Sequence, residues 1–512
     1  MKRTVFAALG VLALGVPAQA KEGMFTPDQL PEIAKDLKAT GLELDPTTLT
    51  DLTAFPMGAV ISLGGCTASF VSPEGLVVSN HHCIRGSVQF NSTEDKNYLK
   101  DGFLAATKAD ELQAAPGTRV YVTTEVTDVT DKVTDGLSAD LSGAERYAAI
   151  DAKRKALIAA CEKEDGYRCQ VSAFFGGLQY KLIKSLEIRD VRLVYAPGDN
   201  VGKYGGDIDN WMWPRHTGDF SFYRAYVSPE GKPADYSENN VPYKPAHVLK
   251  VSAAGLDDGD FVMAAGYPGR TSRYARLATV SYTFDWYYPT WMKNSQDWVD
   301  TIERTAPAGS DARIKYESTL ASLNNYIKNR GGQIEGALRV GLVDARKARE
   351  DALNAWIAAD ESRKPYAEAI ARLDALTAET AAADKREYWY DYATRPALLG
   401  AAHNLYRLSI EKEKPDAERE SGYQERDLTR IKQGLSRIDR RYDAKVDKAV
   451  WMMFLQKYME APMEMRVKAL DKALELGADF DADVMSAKLD AFYANTTLSD
   501  SEKRLALMDA TK

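Results

Sequence analysis

The sequence predicts an α+β protein in which a strand-rich half is followed by a helical half. Between about Phe55 and Gly269, β-branched and aromatic runs alternate with Gly and Pro turns, the pattern of strands. Beyond about Trp286 the chain is rich in Ala, Leu, Glu, Lys and Arg, with apolar positions three and four apart, the pattern of helices. The 512 residues, 45% of them hydrophobic, suffice for large cores without metal or disulfide staples. The expected division is a targeting segment over 1–20, a β region over 21–280 and an α-helical region over 281–512. With 66 basic and 74 acidic side chains the formal charge is −8, so no general field draws nucleic acid or an anionic membrane to the protein.

Taken in order, the chain opens with Lys2 and Arg3, an apolar stretch from Val5 to Val16, and Ala18-Gln19-Ala20, a small-x-small cleavage site. This predicts a secretory signal peptide, because the apolar run is shorter than the ~20 residues of a spanning helix and ends in Pro17. The mature chain would begin at Lys21, carry a charge of −10, be exported, and have no stretch apolar enough to hold it in a membrane. Cysteine usage agrees with an oxidising compartment. The four Cys fall into sequence-local pairs, Cys66 with Cys83 and Cys161 with Cys169, and of three connectivities proximity favours this one over crossed pairs or free thiols.

Strands are expected at Gly58-Ala-Val-Ile-Ser-Leu, Ala68-Ser-Phe-Val, Leu76-Val-Val-Ser, Val120-Tyr-Val-Thr-Thr, Val191-Arg-Leu-Val-Tyr and Phe220-Ser-Phe-Tyr-Arg-Ala-Tyr-Val. Ser-Pro-Glu-Gly occurs at Ser72 to Gly75 and at Ser228 to Gly231, each expected to close a hairpin. A helical island from about Gly143 to Lys163 interrupts the strands. In the second half the best run is Leu428, Ile431, Leu435, Ile438, Tyr442, Val446 and Val450, which predicts one helix face turned to the core. Breaks are expected near Pro365, Pro396 and Pro415.

The chemistry concentrates in the strand half. The segment from Gly64 to Cys83 is read as a Cys-bearing strand, a turn and an apolar strand ending in His81 and His82 beside the second Cys. A disulfide there would immobilise the backbone that carries a general base, and a neutral, immobile His is what a serine hydroxyl needs to lose its proton. His82 is the better candidate, with His81 expected on the other strand face; the rival readings are a strand cap and a metal pair. A second constellation runs from Gly205 to Phe220, where Asp207, Asp209 and Asp219 can each orient an imidazole and His216 is an alternative base. A calcium loop is disfavoured because Trp211 falls where a ligand is needed and the loop glycine is missing. HExxH, Walker and dinucleotide signatures are absent, so neither a metal nor a cofactor is expected.

Asn80-His-His-Cys83, Ala173-Phe-Phe-Gly-Gly177, Asp190-Val-Arg-Leu-Val194, Asp209-Asn-Trp-Met-Trp-Pro-Arg-His-Thr-Gly-Asp219, Tyr236-Ser-Glu-Asn-Asn-Val-Pro242, Gly266-Tyr-Pro-Gly269 and Asn325-Tyr-Ile-Lys-Asn329 together resemble the bacterial periplasmic serine dipeptidyl-peptidases of the dipeptidyl-peptidase 7 and 11 type. The resemblance covers nearly all of the mature chain. It implies a chymotrypsin-like double β-barrel with a large inserted α-helical domain capping the cleft, a periplasmic location, and peptide substrates with a free N-terminal amine. It also implies His82 as general base, Asp219 as its orienting carboxylate, and Asn210, Trp211 and Asn325 as the residues that hold the substrate's α-amino group. Assembly is not readable from the sequence, and a homodimer is kept open.

The sequence departs from that family in one place. Its nucleophilic serine stands in a Gly-Asn-Ser-Gly-Ser-Pro motif near the C-terminus, and no such motif occurs here. The expectation is therefore an incomplete barrel without nucleophile or side-chain specificity pocket, inactive over residues 21–512. Two functions follow: an exported serine exopeptidase whose serine is not in this chain, or a peptide-binding pseudoenzyme.

Overall fold

The computed structural model describes residues 25–93, 95–267 and 274–511; the expected signal peptide, together with Pro268 and Gly269, lies outside them. Among the described residues all strands fall before residue 243, and from Leu277 onward every element is helical. Eleven strands are described: β1 (Val60–Ser62), β2 (Thr67–Phe70), β3 (Leu76–Ser79), β4 (Phe103–Leu104), β5 (Leu112–Gln113), β6 (Val120–Asp128), β7 (Tyr167–Phe174), β8 (Gln179–Ile188), β9 (Asp190–Ala196), β10 (Ser221–Val227) and β11 (Val241–Pro242).

They form one sheet in the order β4-β9-β10-β3-β2-β1-β6-β8-β7, with β11 beside β10 and β5 beside β9, and every pairing is antiparallel. The first Ser-Pro-Glu-Gly closes the β2–β3 hairpin as expected. The second makes a tight turn after β10, but its return strand pairs only at Val241 and Pro242. The double barrel is not seen in this form: among the described residues no ladder joins the two ends of the path, so the sheet stays open. The long hairpin β7–β8 has no counterpart among the expected strands.

One register point positions the site. Ser79 pairs with Ser221 in the β3–β10 ladder. The residues just past β3 therefore stand beside those just before β10, and two segments some 140 residues apart meet. After β3 the chain turns into α1 (His81–Asn91), so His81 and His82 open a helix and do not end a strand as expected. The reason is packing at helical spacing: Ile84 and Val88, one turn apart, are both fully buried in the sheet core with Ile61, Phe70, Val77, Leu193 and Tyr223. Burying each contributes about 1.5–3 kcal/mol, which outweighs the weak strand preference of a short segment.

The helical island is α2 (Gly143–Cys161), started by Ser142 and Glu145, whose side chains satisfy each other's backbone N–H groups. The second half contains α3 (Tyr288–Thr305), α4 (Asp311–Arg339), α5 (Leu342–Ala358), α6 (Lys364–Ala393), α7 (Ala397–Glu411), α8 (Glu425–Ser436), α9 (Ala444–Met459) and α10 (Ala482–Asn495). Pro365 sits in the first turn of α6 and Pro396 caps α7, so these prolines begin helices. The apolar run from Leu428 to Val450 is split and does not form one face. Asp443 accepts from the N–H groups of Lys445 and Val446 at 3.0 and 3.1 Å and starts α9 afresh. Leu435 then packs in one cluster with Ala401 and Leu405, while Val446 and Val450 pack in another with Ile302 and Phe454.

Candidate active site

Asp219 Oδ2 lies 2.7 Å from His82 Nδ1, and Asp219 Oδ1 accepts the His82 backbone N–H at 3.0 Å. The carboxylate thus grips both ring and main chain at the open N-terminus of α1, where a negative charge is favoured. Asn80, the residue before the helix, donates its side-chain amide to Asp219 Oδ2 at 3.1 Å and to the Asp219 carbonyl at 3.3 Å. Burial raises the Asp219 carboxyl, but the bonds from the His82 ring, the His82 N–H and Asn80 outweigh it and hold the group below its ordinary value. Asp219 is therefore ionised at neutral pH. The His82 ring meets it through Nδ1, which leaves Nε2 as the far nitrogen of a side chain that is 67% exposed.

A disulfide joins Cys66, in the turn between β1 and β2, to Cys83, next to His82. It ties the first turn of α1 to the sheet. The second joins Cys161, at the end of α2, to Cys169 in β7. Cys66, His82 and Cys83 lie close enough to suggest metal ligands, but a sulfur bonded to sulfur offers no thiolate.

The neighbouring histidine has a different environment. His81 is 1% exposed, its Nδ1 is 3.0 Å from Ser221 Oγ, and its Nε2 is 3.4 Å from Asp199 Oδ1. Arg85 clasps Asp199 through two bonds of 3.1 and 2.6 Å. The other candidates do not join the pair: His216 is exposed, and Asp207 is engaged by Lys203 and Asn324.

Asn210, Trp211 and Asn325 come together although 115 residues separate the first from the last. Asn325 Oδ1 accepts from Asn210 Nδ2 at 2.7 Å and from Trp211 Nε1 at 3.1 Å. The loop holding Asn210 and Trp211 is fastened to α4 by Lys328, which donates to the carbonyls of Asp207 and Ile208. Trp211 adopts a φ of 60°, a left-handed conformation that costs a bulky residue about 1 kcal/mol or more and that the bonds to Asn325 offset. An ammonium needs acceptors. Asn325 Oδ1 already has two donors, so the acceptor with a lone pair to spare is Asn210 Oδ1, which receives one bond, from Arg215 at 3.2 Å. The indole of Trp211, 56% exposed, offers a π face to a cation. Asn80, Arg215, Asp199 and Ser221 were not given individual roles by the sequence; Asn80 and Arg215 lie inside the quoted motifs, whereas nothing local marks Asp199 or Ser221.

Comparison with known proteins adds three findings. The family model described as Peptidase S46 matches residues 20–512. The Asp/Glu-specific dipeptidyl-peptidase of Shewanella putrefaciens is 47% identical over 508 residues, 99% of this chain and 68% of the relative; dipeptidyl-peptidase 7 of Capnocytophaga gingivalis is 34% identical over 380 residues, 73% of this chain and 53% of the relative. Among solved structures, Porphyromonas endodontalis DPP11 in complex with the dipeptide Arg-Glu superposes with a TM-score of 0.69 at 25% identity, over 96% of this chain and 77% of that one. The chain thus spans between about half and two thirds of the length of these two sequence relatives.

Proposed function

Starting from the fact that this chain belongs to the peptidase S46 family, we propose that it serves an exported, periplasmic serine-type dipeptidyl-peptidase that releases dipeptides from the free N-terminus of peptides. The observation that carries the reading is the His82–Asp219 pair at 2.7 Å with the far ring nitrogen open. Asp219 holds the imidazole in the tautomer whose Nε2 accepts, His82 takes the proton of a serine hydroxyl as it attacks the peptide carbonyl, and the imidazolium formed is stabilised by the carboxylate. His82 then returns the proton to the leaving amine. The serine is not assigned among the described residues.

Asn210 Oδ1 and the Trp211 indole would receive the α-ammonium, with Asn325 fixing both. Burying an ammonium against one acceptor and one ring rewards a free amine and penalises an acylated one, which is how an exopeptidase counts residues from the end. The acid preference named for the Shewanella relative, and the dipeptides Arg-Glu and Arg-Asp bound to the Porphyromonas DPP11, support an acidic second residue in the substrate.

The test uses the protein as its native host makes it, with fluorogenic Xaa-Glu, Xaa-Asp and Xaa-Leu substrates, free and N-acetylated. The expected result is turnover of the free acidic substrates only, reduced by orders of magnitude in His82→Ala. Equal cleavage of the acetylated substrates would sink the amine reading. Turnover indifferent to His82→Ala would sink the catalytic one, and tight binding without any turnover would make the protein a peptide binder.

A further inference from the structure

His81 is buried with both ring nitrogens committed, and it joins its own helix to two other segments. It opens α1 directly before His82. Its Nδ1 meets Ser221, the first residue of β10, two positions after Asp219, at 3.0 Å. Its Nε2 meets Asp199 Oδ1 at 3.4 Å, and Arg85, one helical turn on, bonds both oxygens of the same carboxylate. The ring also lies on Gly202: a Cβ there would stand 2.6–2.8 Å from three imidazole atoms, so no side chain is tolerated beneath it. Asp199 and Gly202 form the root of the loop that carries Asn210 and Trp211. That loop is clipped shut where Gly218 N–H reaches the Val201 carbonyl and Thr217 Oγ1 the Tyr204 carbonyl, both at 3.0 Å.

A residue that only filled space at this point would be apolar, because burying an imidazole costs solvation that its hydrogen bonds merely restore. The specific product of those bonds is a fixed distance between the loop root and the start of α1. We propose that His81 is a positioning residue, which locks the 203–217 loop to the His82–Asp219 pair so that the substrate amine and the general base are held in one frame. This rests on the reading of Asn210, Trp211 and Asn325 as the amine site. A dipeptide's scissile carbonyl has a set distance from its amine, so slack between the two halves of the site is slack at the reacting atoms, where one ångström is worth about 100-fold in rate.

The test compares His81→Phe, His81→Gln and Asp199→Asn with the unaltered chain by three measurements. These are the tautomer of His82 from long-range spectra of 15N-histidine-labelled protein, hydrogen exchange over residues 203–217, and calorimetric affinity for an Xaa-Glu dipeptide with free or acetylated amine. His81→Phe is expected to mix the tautomers of His82, speed exchange in the loop and weaken free dipeptide by about ten-fold or more. His81→Gln, whose amide nitrogen can reach Asp199 as Nε2 does, should recover most of this. Asp199→Asn should loosen the loop alone, and it decides the matter if His81→Phe does not fold. An unchanged His82 tautomer and unchanged loop exchange in a folded variant would overturn the proposal. Should the unaltered chain bind free and acetylated dipeptide equally, the amine reading fails, while spectra and exchange still judge His81.

Discussion

Arg215 Nη1 donates to Asn210 Oδ1 at 3.2 Å, so a cation of the chain itself rests on the acceptor proposed for a substrate's ammonium. The amide is bonded at both ends, since its Nδ2 donates to Asn325 at 2.7 Å. If a substrate's ammonium binds there as proposed, Arg215 would set one positive charge against another.

Two opposed effects follow for Arg215→Met. Removing the competing charge would tighten binding, whereas freeing the amide to turn would present its NH2 to the ammonium and weaken it. With the amide held at its other end by a 2.7 Å bond, we expect charge removal to win and the affinity for a free-amino dipeptide to rise a few-fold, about 1 kcal/mol or less at an exposed site. Calorimetry on variant and parent, at low and high salt, checks this; weaker binding would make Arg215 the residue that orients Asn210.

The lowered Asp219 carboxyl couples the site to pH. A depressed acid contributes stability that is fully present above its unfolded value, 3.8, and is lost as pH falls through the lower folded value. Thermal melts of the parent and Asp219→Asn should differ most above that value and converge in stronger acid. A gap that does not change with pH would mean that the carboxylate is not held by His82 and Asn80.

Both disulfides close short loops, spanning 17 and 8 positions. Loop-closure entropy gives about 3 kcal/mol for the first and about 2.5 for the second. Replacing Cys66 and Cys83 by Ser should therefore lower stability slightly more than replacing Cys161 and Cys169, and only the first pair should also cost dipeptide binding or turnover, because only it clamps the turn that carries His82. Denaturant unfolding with a binding assay tests both halves of the statement, and peptide mapping without reduction tests the pairing.

Asp443 starts α9 by accepting two backbone N–H groups. Asp443→Ala should cost about 1 kcal/mol in denaturant unfolding. No measurable loss would indicate that α8 and α9 are continuous in solution, as the apolar spacing suggests.

Features that depend on neighbours a few residues apart were legible in the order of amino acids. The strands at Leu76–Ser79, Val120–Asp128 and Ser221–Val227 lie on runs in which β-branched and aromatic side chains are frequent, although the second extends past the expected Thr124, and Gly143–Cys161 is a helix because its cap and composition agree. The disulfide pairing follows the same short-range logic. His82 stood out by its place directly before Cys83, whereas Asp219 was singled out only through the resemblance, since nothing in spacing alone separates it from Asp207 or Asp209. The remaining features depend on partners distant in the chain. His81 and His82 open a helix because Ile84 and Val88 find the sheet core, a partner surface that no window around them contains. The run from Leu428 to Val450 breaks because its two ends belong to different cores, which periodicity, blind to partners, cannot register. The environment of His81 is set by Asp199 and Ser221, 118 and 140 residues away, and their arrival there depends on a strand register fixed only when β3 pairs with β10.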